Sequence, residues 1–206
     1  MALLLYGMPG TGKSEFVYYA GNALGKEVLL KRSSDIQSKW VGDTEKNIAR
    51  AFEEAQESGS ILFFDEADTF LFPRAEAQRS WEISHTNEIL TQLESFKGIV
   101  FFATNDMEGL DHAALRRFKF KIEFRPLTPE GNLSLYNTLL KGLASDELAE
   151  EETRIIKGIK NLTPGDFAVV KDQALFMEPS SIAHRMLIAA LANDVKYMKG
   201  AKGMGF

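Results

Sequence analysis

Leu3-Leu4-Leu5-Tyr6-Gly7-Met8-Pro9-Gly10-Thr11-Gly12-Lys13-Ser14 decides the fold. A short apolar run ends in a glycine-rich turn, and the turn ends on Lys-Ser. Continuous apolar runs of this length suit strands of a parallel sheet, buried on both faces. A helix is predicted from Lys13 to about Leu24. Gly7 to Ser14 matches the P-loop pattern, and the predicted strand and helix supply the context that pattern requires. Its glycines let the backbone wrap closely and aim several N–H groups at phosphate oxygens. The helix beginning at Lys13 points its positive end at the same anion. In this pattern Lys13 reaches the β- and γ-phosphates, and the Ser14 hydroxyl ligates magnesium. Pro9, Gly10, Thr11, Gly12, Lys13, Ser14 and Glu15 form the expected nucleotide-contacting run.

Outward from that stretch, strands and helices alternate. Strands are predicted at Glu27–Lys31, Ile61–Phe64, Ile99–Ala103 and Phe118–Phe124. Helices are predicted at Thr44–Glu57, with Thr44 as N-cap, at Trp81–Phe96 and at His112–Arg116; Phe70–Ser80 reads as a loop. This alternation implies a parallel sheet with helices on both faces. Pro126 and Pro129 then punctuate the chain, and the pattern beyond them is helical only. Helices are expected at Pro129–Ala144, Ser145–Lys160, Pro164–Phe176 and Ser180–Met198, with a frayed tail after them. The expected organisation is an α/β nucleotide-binding domain over residues 1–125 and a small all-helical lid domain over residues 126–206.

Ile61-Leu62-Phe63-Phe64-Asp65-Glu66 delivers two acids at the end of an apolar strand. Ligands of open α/β sheets bind at that end. Asp65 suits a magnesium shell, and Glu66 suits polarising an attacking water.

Together these motifs resemble the AAA+ ATPases, most closely the classical AAA subgroup. Gly7–Ser14 resembles Walker A, and Ile61–Asp68 resembles Walker B with its Asp-Glu-Ala-Asp ending. The resemblance runs over essentially the whole chain and is densest from Leu3 to Phe124. It implies a P-loop NTPase fold, with ATP and Mg2+ as bound partners. Phe101-Phe102-Ala103-Thr104-Asn105 resembles the sensor 1 strand, which gives Asn105 a hydrogen bond to the γ-phosphate or the lytic water. Leu110 to Phe118 resembles the segment that carries arginine fingers. It implies that Arg116 or Arg117, with Arg117 favoured, completes a neighbouring copy's site in a homo-oligomeric ring, usually a hexamer. The two arginines are adjacent here, and Lys119 stands where the family often has Asp. Trp40-Val41-Gly42 resembles pore loop 1 of peptide-threading members, where a large ring wedges against extended polypeptide. Arg74 falls where the family often has an interface arginine. Thr163-Pro164-Gly165-Asp166 sits where a helix begins near the nucleotide, which gives Gly165 an approach to base or ribose. Arg185 in the last helix reads as a surface arginine. His85, His112 and His184 do not have the spacing of a metal site.

Composition narrows the reading. Hydrophobic residues at 45% and charged residues at 26% describe a globular protein, and the net charge of −5 argues against a dedicated nucleic-acid surface. The absence of cysteine removes disulfides, thiolate metal sites and cysteine nucleophiles, and fits a cytoplasmic location. Ala2–Tyr6 is too short to span a membrane and lacks a basic flank. Because it opens almost directly on a strand, the chain is expected to be a domain excised from a longer protein. The expected function is ATP binding and hydrolysis that drives remodelling, unfolding or threading of a protein substrate. The alternatives are a nucleic-acid loader or helicase-type ATPase on the same fold, and a nucleotide-dependent scaffold with little turnover. The acidic balance and the Trp-Val-Gly loop weigh against the first, and the presence of both acids and Asn105 against the second.

Overall fold

The computed structural model describes residues 1–38, 40, 42–71, 73 and 80–200. Val41 and Arg74 lie outside the described residues, as does the end of the tail. The chain divides into two compact units, one of Met1–Gly7 and Lys13–Phe124, the other of Met8–Gly12 and Arg125–Phe206.

In the first unit the strands are β1 (Ala2–Gly7), β2 (Val28–Lys31), β3 (Ile61–Phe64), β4 (Val100–Thr104) and β5 (Phe120–Phe124). They form a five-stranded sheet in the order β2-β3-β4-β1-β5. The neighbouring strands are all parallel, with Leu4 opposite Phe102 and Lys121, and Leu62 opposite Val100. The helices are α1 (Lys13–Leu24), α2 (Ser33–Ile36), α3 (Asp43–Ser58), α4 (Ser80–Ser95) and α5 (His112–Arg117).

Strand side chains alternate between faces, so each apolar run feeds two cores. Leu4, Leu62, Phe64, Val100 and Phe102 pack with Ile48, Ala51, Phe52 and Ala55 of α3, Ile89 of α4 and Ala114 of α5. Leu3, Leu5, Ile61, Phe63, Phe101 and Ala103 pack with Val17 of α1 on the other face. Phe64 and Phe102 stack with ring centroids 4.8 Å apart, at the carboxyl end of the β3–β4 ladder. The α/β fold with helices on both faces of a parallel sheet is thus the observed one.

Several boundaries differ from the sequence expectation. Thr44 does not cap α3: Gly42 stands at the cap in a left-handed conformation, and Thr44 Oγ1 accepts the Ser38 N–H at 3.0 Å. The hydroxyl therefore ties down the loop before the helix. The short helix α2 was not expected; its first turn closes when Asp35 accepts the Arg32 N–H at 2.9 Å. Asp111 caps α5 by accepting from the Ala113 and Ala114 N–H groups at 2.9 and 3.1 Å.

The second unit holds α6 (Pro129–Leu139), α7 (Glu150–Gly158), α8 (Pro164–Ala174) and α9 (His184–Gly200). Tyr136, Leu140, Ile156, Phe167, Val170 and Leu191 form its core. Thr128 caps α6 by accepting the Gly131 N–H at 3.1 Å, and Pro129 opens the helix where no N–H is needed. The expected helix from Ser145 begins only at Glu150. Ser145 instead donates both its N–H and its hydroxyl to the Ile182 carbonyl at 2.9 and 3.0 Å. Asp146 accepts the His184 N–H at 3.0 Å and so starts α9 there rather than at Ser180. Inside the core the Tyr136 hydroxyl pairs with His184 Nδ1 at 2.8 Å. Burial pushes the Tyr136 hydroxyl pKa upward, and the charges of Glu152 and Asp146 add to the effect. No helix among the described residues is long and apolar enough to cross a membrane.

Candidate functional site

The carboxyl ends of β1, β3 and β4 bring the sequence-predicted residues of the first unit together. β1 ends at Gly7, β3 at Phe64 just before Asp65, and β4 at Thr104 just before Asn105. Because the strands are parallel neighbours, these ends lie on one rim of the sheet, where ligands of open α/β sheets bind.

Lys13 opens α1 and is 8% exposed. Its ammonium donates to the Gly7 carbonyl at 2.8 Å and to Asn105 Oδ1 at 2.7 Å. Burial lowers its pKa, and the Asp65 carboxylate works in the opposite direction. Ser14 Oγ donates to Asp65 Oδ2 at 3.2 Å. The other Asp65 oxygen accepts the Glu66 N–H at 3.0 Å. Lys13 with Asn105 and Ser14 with Asp65 are thus two hydrogen-bonded pairs, set side by side by adjacent residues of α1.

Glu66 is exposed and has left-handed backbone angles, φ 55° and ψ 52°. A non-glycine residue there carries strain that concentrates at functional sites. The turn is held from behind, since Thr69 Oγ1 donates to the Glu66 carbonyl at 2.8 Å.

Asp68 was not assigned a role from the sequence. Its Oδ1 accepts from Thr104 Oγ1 at 2.9 Å, and Thr104 is 2% exposed. The same hydroxyl accepts the Asp106 N–H at 3.0 Å. These bonds fix the backbone on both sides of Asn105. The sequence signal was present in the Asp-Glu-Ala-Asp run, but nothing in it names Thr104 as the partner.

Arg117 forms an ion pair with Glu94 of α4. Arg116, next to it at the end of α5, is exposed and pairs with no described carboxylate. Trp40 is 77% exposed, and Gly42 has φ +85°. Glu15 is exposed in the first turn of α1. His85 and His184 are buried in separate units, and His112 is exposed.

In the second unit Pro9 and Gly10 are exposed, and Thr11 Oγ1 donates to the Met8 carbonyl at 2.7 Å. Gly12 has φ +93°, and a Cβ there would meet nothing within 4 Å. The loop thus presents bare backbone to open space at that point. Gly165 lies in the first turn of α8, and its N–H donates to the Gly10 carbonyl at 2.9 Å. Arg185 is exposed on α9.

The donor set fits a magnesium nucleotide. A hydroxyl beside a carboxylate offers hard oxygens, and Mg2+ uses one or two such protein ligands together with substrate phosphates. Ser14 and Asp65 are the residues that would hold it.

Residues 3–126 match the family described as ATPase family associated with various cellular activities (AAA). The protein SUPPRESSOR OF K(+) TRANSPORT GROWTH DEFECT 1 of Arabidopsis thaliana is 40% identical over 129 residues, which cover 59% of this chain and 29% of that protein. Vacuolar protein sorting-associated protein 4 of Dictyostelium discoideum is 32% identical over 140 residues, 65% of this chain and 32% of that protein. The chain thus spans less than a third of the length of these two relatives. The crystal structure of the FIGL-1 AAA domain in complex with ADP superposes with a TM-score of 0.70 at 24% identity, covering 94% of this chain and 71% of that one.

Proposed function

The chain belongs to the AAA family of ATPases, and from that premise we propose that it binds ATP with magnesium and hydrolyses it to drive remodelling of a protein substrate. The observation that carries this reading is the convergence at the sheet rim: Lys13 lies 2.7 Å from Asn105, and Ser14 lies 3.2 Å from Asp65. The ADP bound in the FIGL-1 AAA domain supports the nucleotide class.

Lys13 exchanges the Gly7 and Asn105 oxygens for phosphate oxygens, and the backbone N–H groups of Gly10 to Ser14 take the remaining charge. Ser14 and Asp65 would hold magnesium, which would supply neutralisation of phosphate charge. Glu66 reaches past the rim from its strained turn and polarises the attacking water. Asn105 orients that water or the γ-phosphate through its amide, and Asp68 with Thr104 holds Asn105 in place. Glu15, in the first turn of α1, belongs to the same nucleotide-contacting set.

Transition-state charge on the γ-phosphate needs a further cation. An arginine from a neighbouring copy supplies it, which makes the working form a homo-oligomeric ring, a hexamer in the family's usual arrangement. Arg116 is the better finger, because Arg117 is already engaged with Glu94. Trp40, Val41 and Gly42 form the loop that grips substrate, and the exposure of Trp40 supports that role.

Glu66→Gln tests the chemistry. The variant should bind ATP as the parent does, while phosphate release falls by about 10²- to 10⁴-fold. Turnover near the parent level would remove Glu66 from the mechanism.

A further inference from the structure

Gly10 and Gly165, far apart in sequence, meet backbone to backbone. Besides the 2.9 Å hydrogen bond from the Gly165 N–H to the Gly10 carbonyl, the two residues leave no room for side chains. A Cβ on Gly165 would stand 2.9 Å from Gly10 Cα and 3.3 Å from the Gly10 carbonyl oxygen. A Cβ on Gly10, where φ is +74°, would stand 2.8 Å from Thr163 Oγ1. Neither approach is tolerated without a shift, so the contact needs the small size of both residues.

The Thr163 side of the contact is rigid. Asp166 Oδ2 accepts from both the Thr163 N–H at 2.6 Å and the Thr163 hydroxyl at 3.0 Å. Thr163 and Asp166 are 3% and 5% exposed, so this turn is held inside the helical unit. Residues 8–12 group with the same unit.

We infer that the Thr163–Asp166 turn is the positioning element of the phosphate loop. The inference rests on the reading of Gly7–Ser14 as a triphosphate cradle. Its physical basis is the planarity of the peptide bond. In a trans peptide the carbonyl of one residue and the N–H of the next point in opposite directions. Fixing the Gly10 carbonyl against Gly165 therefore aims the Thr11 N–H the other way, toward the phosphate. A glycine-rich loop left free would lose that orientation to backbone entropy each time it bound. Gly165 thus acts on the phosphates through Gly10, and it does not select the base or the ribose.

Calorimetric titration of this chain with ATP, GTP and inorganic tripolyphosphate, each with magnesium, tests the inference. The variants are Gly165→Ala, Gly165→Val and Lys13→Ala. Gly165→Ala should weaken all three ligands by about threefold and Gly165→Val by about tenfold or more, with the same factor for each ligand. Alanine suits the first turn of α8, so the Ala variant carries the test if the Val variant fails to fold. Melting of the ligand-free Ala variant should stay close to the parent. Unchanged affinities in the folded variants would overturn the inference. So would a loss confined to ATP with tripolyphosphate unaffected, which would put Gly165 against base or ribose. If the parent and Lys13→Ala bind tripolyphosphate alike, the cradle reading itself fails, and the inference falls with it.

Discussion

Lys13 carries the charge that attracts an anion, and burial works against that charge. Its pKa is lowered from the ordinary 10.5, with desolvation as the larger cause and Asp65 opposing it. The protonated form is the one a phosphate needs, so ATP affinity should decline as the medium turns alkaline, beginning below pH 10.5. Unfolding does not mimic this decline through Lys13. Between the folded and unfolded pKa values the unfolded chain binds more protons, so this group's contribution to stability rises with pH there. Lys13→Arg should flatten the alkaline decline, because a guanidinium stays charged, although its fork fits the cradle less well. Titrations across the alkaline range check this, and an affinity that stays level for the parent would contradict it. At the same scale, the Arg117–Glu94 pair is half exposed on both sides and adds little stability. Of the two adjacent arginines at the end of α5, it occupies Arg117 and not Arg116.

Helices, strands and loops show where sequence reading succeeds and where it stops. The loop between α2 and α3 presents Trp40 at 77% exposure while Thr44 holds its base. Trp40→Ala should leave phosphate release in the absence of substrate near the parent level and abolish work on a protein substrate. Unimpaired unfolding of a tagged substrate by this variant would refute the loop's role. The strands were legible because burial on both faces forces unbroken apolar runs such as Ile61–Phe64. The glycine-rich turn after β1 and the acids after β3 could be proposed as a site from sequence because their pattern is local. Less could be read in the helical part. The segment before α7 is kept out of the helix by Ser145 bonds to Ile182, which lies far along the chain. Asp68 with Thr104, and Gly10 with Gly165, are likewise partners that only the fold brings together.

At the scale of the whole molecule, the proposed ring makes activity a shared property. A chain lacking Glu66 still offers Arg116, and a chain lacking Arg116 still offers Glu66. Head-to-tail contacts let the two defects complement each other. Glu66→Gln and Arg116→Ala should each be nearly inactive alone, and an equal mixture should recover about a quarter of the parent turnover, since that share of interfaces joins the two intact halves. Phosphate release measured across mixing ratios reads this directly. A flat line at the level of the single variants would exclude a finger supplied by a neighbour.

The alternation along β1 has a consequence for how mutations in the interior would show themselves. Leu4 points into one core, while Leu3 and Leu5 point into the other. Deleting one residue from Ala2–Tyr6 would invert that assignment and would also retract everything downstream by about 3.3 Å, the rise of one strand residue. Lys13 would then be drawn away from Asn105, so an error of packing deep in the sheet would surface first as a failure of catalysis.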